Sequence, residues 1–277
     1  MGDDAFVTAN VAEGAQNRWF GRGERLSRTS MLPIQAVLED LKAAVAANPA
    51  VVLAAPPGAG KTTVVPLALL DAEWRGDRRI LVLEPRRLAA RAAAERMAAT
   101  LGETPGQTVG YRTRLQSRTG PKTRIEVVTE GVFTRMILDD PAIEGVAAVL
   151  FDEFPERSLD ADLGLALARD SQGLLRDDLK LIVMSATLDI SGVSRLLGGA
   201  PVVEAQGRTY PVETIYRGRN PAERMEEAMA RACLKVLGEQ TGSVLAFLPG
   251  QAEIHRVAGR VRDGLQLLNV DVVPLYG

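Results

Sequence analysis

The segment Ala54-Ala55-Pro56-Pro57-Gly58-Ala59-Gly60-Lys61-Thr62-Thr63 constrains this chain more than any other. It directly follows the apolar run Val51-Val52-Leu53, so a strand feeds a tight glycine-bearing loop that opens into a helix beginning Lys-Thr. Such a turn is a phosphate cradle, because loop N–H groups and the helix N-terminus converge on one anion. Gly58 and Gly60 let the backbone come close to phosphates, with Pro57, Ala59 and Thr63 completing the loop. Lys61 is placed to reach the β- and γ-phosphates, and the Thr62 hydroxyl to meet Mg2+. The Gly-Lys-Thr core alone is weak, since it turns up by chance in about one chain in ten of this length. Ala55 also stands where the full pattern has its first glycine. The strand–loop–helix context carries the reading against that of a bland surface turn.

A second motif has a matching role. The apolar run Ala147-Ala148-Val149-Leu150-Phe151 ends in Asp152-Glu153-Phe154. In nucleotide hydrolases the first acid at such a strand end holds Mg2+, and the next can polarise the attacking water. Neighbouring strand residues point to opposite faces, but where the chain turns at the strand end both can address one site. Two solvated acids capping the next helix are the plainer alternative, and the upstream loop outweighs it.

Composition bounds the rest. The 277 residues suffice for one large or two medium domains. With 46% hydrophobic and 25% charged residues the chain reads as an ordinary globular protein. No apolar run approaches the ~20 residues of a membrane span, and Gly2-Asp3-Asp4 does not open like a secretory signal. One cysteine (Cys233) and one histidine (His255) exclude an internal disulfide, a cysteine metal cluster and poly-His metal sites. A cytoplasmic location is expected. Net charge −2 gives no global nucleic-acid footprint. Arginines nonetheless cluster at Arg86-Arg87, Arg91, Arg96 and at Arg112, Arg114, Arg118, Arg124, and arginine suits bidentate phosphate contact. Solvated helix faces explain most such runs, so their position in the fold has to decide.

The hydrophobic pattern predicts alternating strands and helices. Strands are expected at 51–53, 80–83, 125–128, 146–151 and 179–184, with helices at 33–47, 62–70, 88–101, 132–138 and 159–168. Near-continuous apolar strands between helices imply an α/β fold with a mostly parallel sheet covered on both faces. Ligands bind at the carboxyl ends of such strands. The phosphate loop, Glu84-Pro85-Arg86-Arg87, Thr129-Glu130-Gly131, Asp152-Glu153 and Ser185-Ala186-Thr187 all begin there. Residues 1–28 read as a mobile tail and 29–207 as the first domain. Residues 208–221 read as a linker, and 222–277 as the start of a second α/β domain, too short to close a sheet of its own.

The ordered set resembles the DEAH/DExH-box helicases of superfamily two. It rests on Leu32-Pro33-Ile34, Ala55 to Thr63, Glu84-Pro85-Arg86-Arg87-Leu88-Ala89-Ala90-Arg91, Val109-Gly110-Tyr111-Arg112, Val128-Thr129-Glu130-Gly131, Phe151-Asp152-Glu153-Phe154 with Glu156-Arg157-Ser158-Leu159, Met184-Ser185-Ala186-Thr187-Leu188 and Phe247-Leu248-Pro249-Gly250. The likeness spans about residues 31–277 and is specific in combination, and in that family the loop's first glycine is commonly alanine. It implies a RecA-like P-loop NTPase domain followed by an incomplete second one, using ATP and Mg2+ and acting on single-stranded nucleic acid, RNA before DNA. It implies a monomer and no membrane partner. By position, Lys61 and Thr62 resemble the triphosphate and Mg2+ contacts, Asp152 the Mg2+-holding acid, and Glu153 the general base. Ser185, Ala186 and Thr187 resemble the motif coupling hydrolysis to domain movement. Arg86, Arg87, Arg114, Thr129 and Gly131 sit where the family grips the strand backbone, contacts that are independent of base sequence. Arg96 sits where a side chain stacks on adenine.

Three departures qualify the likeness. Pro155 stands where the Asp-Glu-x-His box has histidine, residues 1–28 match nothing in the family, and residues 1–277 contain no Gln-x-x-Gly-Arg-x-Gly-Arg motif, the source of arginine fingers. A non-catalytic module that holds nucleotide or a strand is therefore a second expectation. A small-molecule kinase is a third, disfavoured because kinases need no strand-gripping row.

Overall fold

The computed structural model describes residues 32–154, 158–186, 190–206, 212–216, 218, 220–265 and 270–276, and the backbone of 5–11. The chain divides into two compact units, Ser27–Tyr210 and Met1–Leu26 with Pro211–Gly277. The expected tail, residues 1–28, falls outside the described residues apart from the backbone of 5–11, and of the expected linker the described residues are 212–216, 218, 220 and 221.

In the larger unit an eight-stranded sheet is built from β2 (Ala50–Ala54), β3 (Arg79–Glu84), β4 (Val109–Arg112), β5 (Ser117–Arg118), β6 (Ile125–Thr129), β7 (Val146–Phe151), β8 (Lys180–Ser185) and β9 (Val202–Glu204). Their order is β5-β4-β6-β3-β7-β8-β2-β9, and among the described residues every pairing is parallel except β4 with β5. The chain is thus the expected α/β fold with a mostly parallel sheet. The expectation omitted β4, β5 and β9. All three lie at or near a sheet edge, and they are too short to show a period.

Both faces of this sheet are buried, which explains the unbroken apolar runs. Val51, Leu53, Ile80, Val82, Ala148, Leu150, Ile182 and Met184 join one core with α1 (Leu38–Ala47), α2 (Lys61–Ala68) and α3 (Arg87–Thr100). Their strand neighbours Val52, Leu81, Leu83, Val149, Phe151, Leu181 and Val183 join the opposite core with α4 (Glu130–Asp139), α5 (Leu159–Leu174) and α6 (Ile190–Leu196). Within α3, Ala90, Ala93, Ala94, Met97 and Ala98 form the buried stripe, at the spacing of one helix face.

Buried charge also shapes this sheet. Glu126 of β6 is 0% exposed. Arg79 Nη1 donates to its Oε2 at 2.8 Å, and Arg112 Nε forms an ion pair with Oε1 at 2.8 Å. Near the amino ends of β7 and β8, Arg176 donates to the carbonyls of Ala142 (2.9 Å) and Val146 (2.8 Å) and pairs with Asp178. The Arg176 and Arg78 guanidinium groups hold Asp178 well below the usual carboxylate range. Arg176→Ala removes the side-chain donor from the carbonyls of Ala142, Ile143 and Val146, so it is expected to destabilise the unit by about 2 kcal/mol. Urea unfolding followed by circular dichroism measures it, and an unchanged midpoint would show the staple to be dispensable.

The smaller unit contains α7 (Met225–Glu239), β10 (Ser243–Leu248), α8 (Gln251–Gly264) and β11 (Val270–Leu275). It differs from expectation at its third strand. Ala5–Val11, read from sequence as part of a mobile tail, forms β1 between β10 and β11 and antiparallel to both. Because β10 and β11 flank it rather than pair with each other, β1 supplies the ladder partner that both backbones need. Ala230, Cys233, Leu237, Ala246, Leu248, Ile254, Val257 and Val261 form this unit's core.

Candidate nucleotide site at the carboxyl ends of the sheet

The phosphate loop folds as a turn between β2 and α2. Gly58 and Gly60 have φ of +74° and +93°, backbone that glycine adopts without strain. A Cβ on Gly60 would stand 2.9 Å from Leu32 Cδ1 and 3.3 Å from Ile34 Cγ2, so a side chain there would also have to push exposed Leu32 aside. Ala55 escapes both demands. It lies in the core, outside the left-handed region, and its N–H donates to the Ser185 carbonyl at 2.9 Å. The backbone at this position therefore makes no demand for glycine.

Lys61, the first residue of α2, is only 4% exposed. Its Nζ donates to the carbonyls of Ala55 (2.8 Å) and Pro56 (3.3 Å) and stands 3.9 Å from Glu153 Oε1. The next residue closes the site. The Thr62 hydroxyl donates to Asp152 Oδ2, joining residues 90 positions apart. The Glu153 N–H donates to Asp152 Oδ1 at 2.9 Å, and the Asp152 N–H donates to Leu83 O at 3.2 Å. Burial pushes the Asp152 carboxyl above the usual range, opposed by the Thr62 hydroxyl, the Glu153 amide, the Lys61 ammonium and a hydrogen bond with Glu84.

Glu153 has φ +48°, a conformation that costs a non-glycine residue about 1–3 kcal/mol. Strand alternation would send consecutive side chains apart, and this turn cancels it. The carboxylate next to Asp152 stays beside Lys61 instead. Ser185, at the end of β8, is 3% exposed and sits in register with Ala54, with Ala186 beside it. Thr187, expected to act with them, and Pro155 lie outside the described residues.

The arginine row occupies the other half of the same edge. Arg86 caps α3 and Arg87 opens it, both exposed. Exposed Arg114 follows β4 in the turn closed by the Thr113 N–H donating to Gln116 O at 2.8 Å. Thr129 caps α4, Gly131 is exposed in its first turn, and Thr129 is in register with Glu84. In the sheet order, β4, β6 and β3 carry this row, while β7, β8 and β2 carry the cradle. Arg96 is set apart. It is exposed, nine residues beyond Arg87, or about 13 Å along the helix axis.

Sequence reasoning gave no role to Glu84 or Ser158. Glu84 is 4% exposed at the end of β3, and its strand-end position was the available signal. Ser158 caps α5 and bonds to Glu130, a pairing visible only once α4 and α5 lie side by side.

Known proteins resemble this chain in sequence and in structure. The chain is 52% identical over 250 residues to the ATP-dependent RNA helicase HrpB of Escherichia coli (strain K12), which covers 90% of this chain and 30% of that protein. It is 33% identical over 249 residues to the ATP-dependent RNA helicase HrpA of Borreliella burgdorferi, covering 89% and 30%. Among solved structures, the crystal structure of the Escherichia coli DEAH/RHA helicase HrpB matches with a TM-score of 0.78 and 49% identity, covering 84% of this chain and 30% of that one. The chain therefore spans about 30% of the length of these relatives. A model of the DEAD/DEAH box helicase family matches residues 34–196, the stretch that holds the phosphate loop, the Asp152-Glu153 turn and Ser185, and the chain belongs to that family.

Proposed function

We propose that this chain is the nucleotide-binding portion of an ATP-dependent RNA helicase, coupling Mg-ATP hydrolysis to movement along or unwinding of nucleic acid. The observation that carries the reading is the hydrogen bond from Thr62 to Asp152, with Lys61 beside it, which joins the loop helix to the far strand end. These residues fit a hard cation. Among the described residues no group of three or more His, Cys, Asp or Glu side chains could hold a metal. Mg2+ does not need one, because it uses one or two protein oxygens and completes its shell with substrate phosphates and water. Thr62 and Asp152 supply those oxygens. Bound there, Mg2+ would neutralise charge developing on the phosphates.

The chain's own groups do the rest. Lys61 and the N–H groups from Gly58 to Thr63 hold phosphate oxygens, Pro57 shapes the loop, and Glu153 orients and deprotonates the attacking water. Ser185 with Ala186 and Thr187 relays the outcome, and exposed Arg96 offers its guanidinium plane to the adenine ring. Arg86, Arg87, Arg114, Thr129 and Gly131 grip a single-strand backbone. The row and the cradle meet at neighbouring strands β3 and β7, about 5 Å apart, so events at one are felt at the other. The relatives named RNA helicases support RNA over DNA. A monomer acting in the cytoplasm completes the proposal, and among the described residues no helix is long and apolar enough to cross a membrane.

The test is ATP turnover by this chain with and without single-stranded RNA. Turnover that rises with RNA is expected. Bound nucleotide with background turnover in both conditions would make the chain a binding module instead.

A further inference from the structure

Glu130 stands between two proposed strand-gripping residues, Thr129 and Gly131. It points away from their task. The Ser158 hydroxyl donates to its Oε2, across 28 residues. Ser158 in turn caps α5, accepting the Ala161 N–H at 2.9 Å. It is the fourth residue after Phe154, so it lies directly downstream of the Asp152-Glu153 turn. The first turns of α4 and α5 are thus fastened side chain to side chain.

Apolar packing makes the same connection. Phe133 of α4 meets Phe151 of β7 edge-on, with ring centres 5.9 Å apart, and Phe151 meets Phe154 likewise at 6.2 Å. A Cβ on Gly164 of α5 would stand 3.2 Å from Phe133, so α4 and α5 approach as closely as that glycine allows. The helix that begins with the grip is therefore braced twice against the strand that ends in the metal-binding acid. The brace is apolar below and polar above, and only its polar part lies at the surface edge, where a rearrangement could open it.

We propose that the Glu130–Ser158 hydrogen bond is a coupling latch, transmitting the state of the Asp152-Glu153 turn to the strand grip at Thr129 and Gly131. This rests on the nucleotide and nucleic-acid roles proposed above. Glu130 and Ser158 are positioning residues and touch neither ligand. A latch that holds α5 to α4 makes the two binding events interdependent, and linkage requires the effect to be reciprocal.

A plain capping role for Ser158 is the competing explanation, and one substitution separates the two. Ser158→Asp keeps an equally good cap but sets a carboxylate against Glu130 and removes the donor. Adding Glu130→Gln restores a donor to that carboxylate. The readout is the ratio of single-stranded RNA dissociation constants measured without and with a magnesium-bound, non-hydrolysable ATP analogue. Coupling of this kind is typically about 5–150-fold. Wild type is expected to fall in that range, Ser158→Asp to fall towards unity with nucleotide affinity and melting temperature held, and the double variant to recover most of the coupling. Coupling that survives Ser158→Asp, or that the double variant fails to restore, overturns the latch. So does a wild type that binds both ligands independently. A wild type that binds neither ligand overturns the proposed function itself.

Discussion

Glu153→Gln is expected to lower ATP turnover by roughly 10²–10⁴-fold, the usual contribution of a positioned general base. Affinity for Mg-ATP should stay within a factor of about three, a change below 1 kcal/mol. The asymmetry follows from placement. Glu153 is swung out of strand alternation by its left-handed backbone and lies 3.9 Å from Lys61, whereas it is Asp152 that takes the Thr62 hydroxyl. Glutamine preserves size and reach and loses the basic oxygen, so fold and phosphate binding persist while water activation goes. Asp152→Asn is the contrasting control, because it weakens the oxygen proposed to hold Mg2+ together with Thr62 and should lower affinity as well as turnover. Steady-state hydrolysis together with equilibrium titration of Mg-ATP reads both quantities. Turnover surviving Glu153→Gln would move the base elsewhere.

The site was legible where local sequence dictates local geometry. Gly58, Gly60, Lys61 and Thr62 announce a cradle because one short loop and the first turn of its helix contain them all. Asp152 and Glu153 are readable because an apolar strand ends in them. The alternating strands were legible for a different reason, since a sheet buried on both faces leaves runs such as Val146 to Phe151 unbroken by polar residues. What stayed hidden depends on partners far along the chain. Strand β4 has four residues including Gly110, and is made a strand by pairing with β6. The backbone of Ala5–Val11 finds its ladder more than 230 positions away. Glu126 looks like a surface acid until Arg79 and Arg112 close over it. The Glu130–Ser158 bond exists only because the sheet order sets α4 beside α5. The departure at Ala55 was readable by resemblance alone, and its physical reason appears in the structure: a buried position with ordinary backbone angles, where glycine has no advantage.

Lys61→Ala is expected to weaken Mg-ATP binding by about 10²–10³-fold. An ammonium 4% exposed is a desolvated charge, and truncating one partner of a buried charged hydrogen bond costs about 2–5 kcal/mol, each 1.4 kcal/mol being tenfold. The carbonyls of Ala55 and Pro56 hold this ammonium at the loop mouth, so it needs little reorganisation to meet a phosphate oxygen. The same two carbonyls lose their donor in the variant, and a stability loss of about 1–3 kcal/mol accompanies the change. The two effects separate by experiment. Titration of a fluorescent Mg-ATP analogue gives affinity for the folded fraction, and denaturant unfolding without nucleotide gives stability. Lys61→Met is the companion variant. It keeps the apolar stem and fills the same volume, so packing is spared and only the charge and its donors are lost. Loss of affinity in both variants ties binding to the ammonium. Full affinity in Lys61→Met would mean that the loop's N–H groups alone hold the phosphates, and the cradle would have to be redrawn around Gly58 and Gly60.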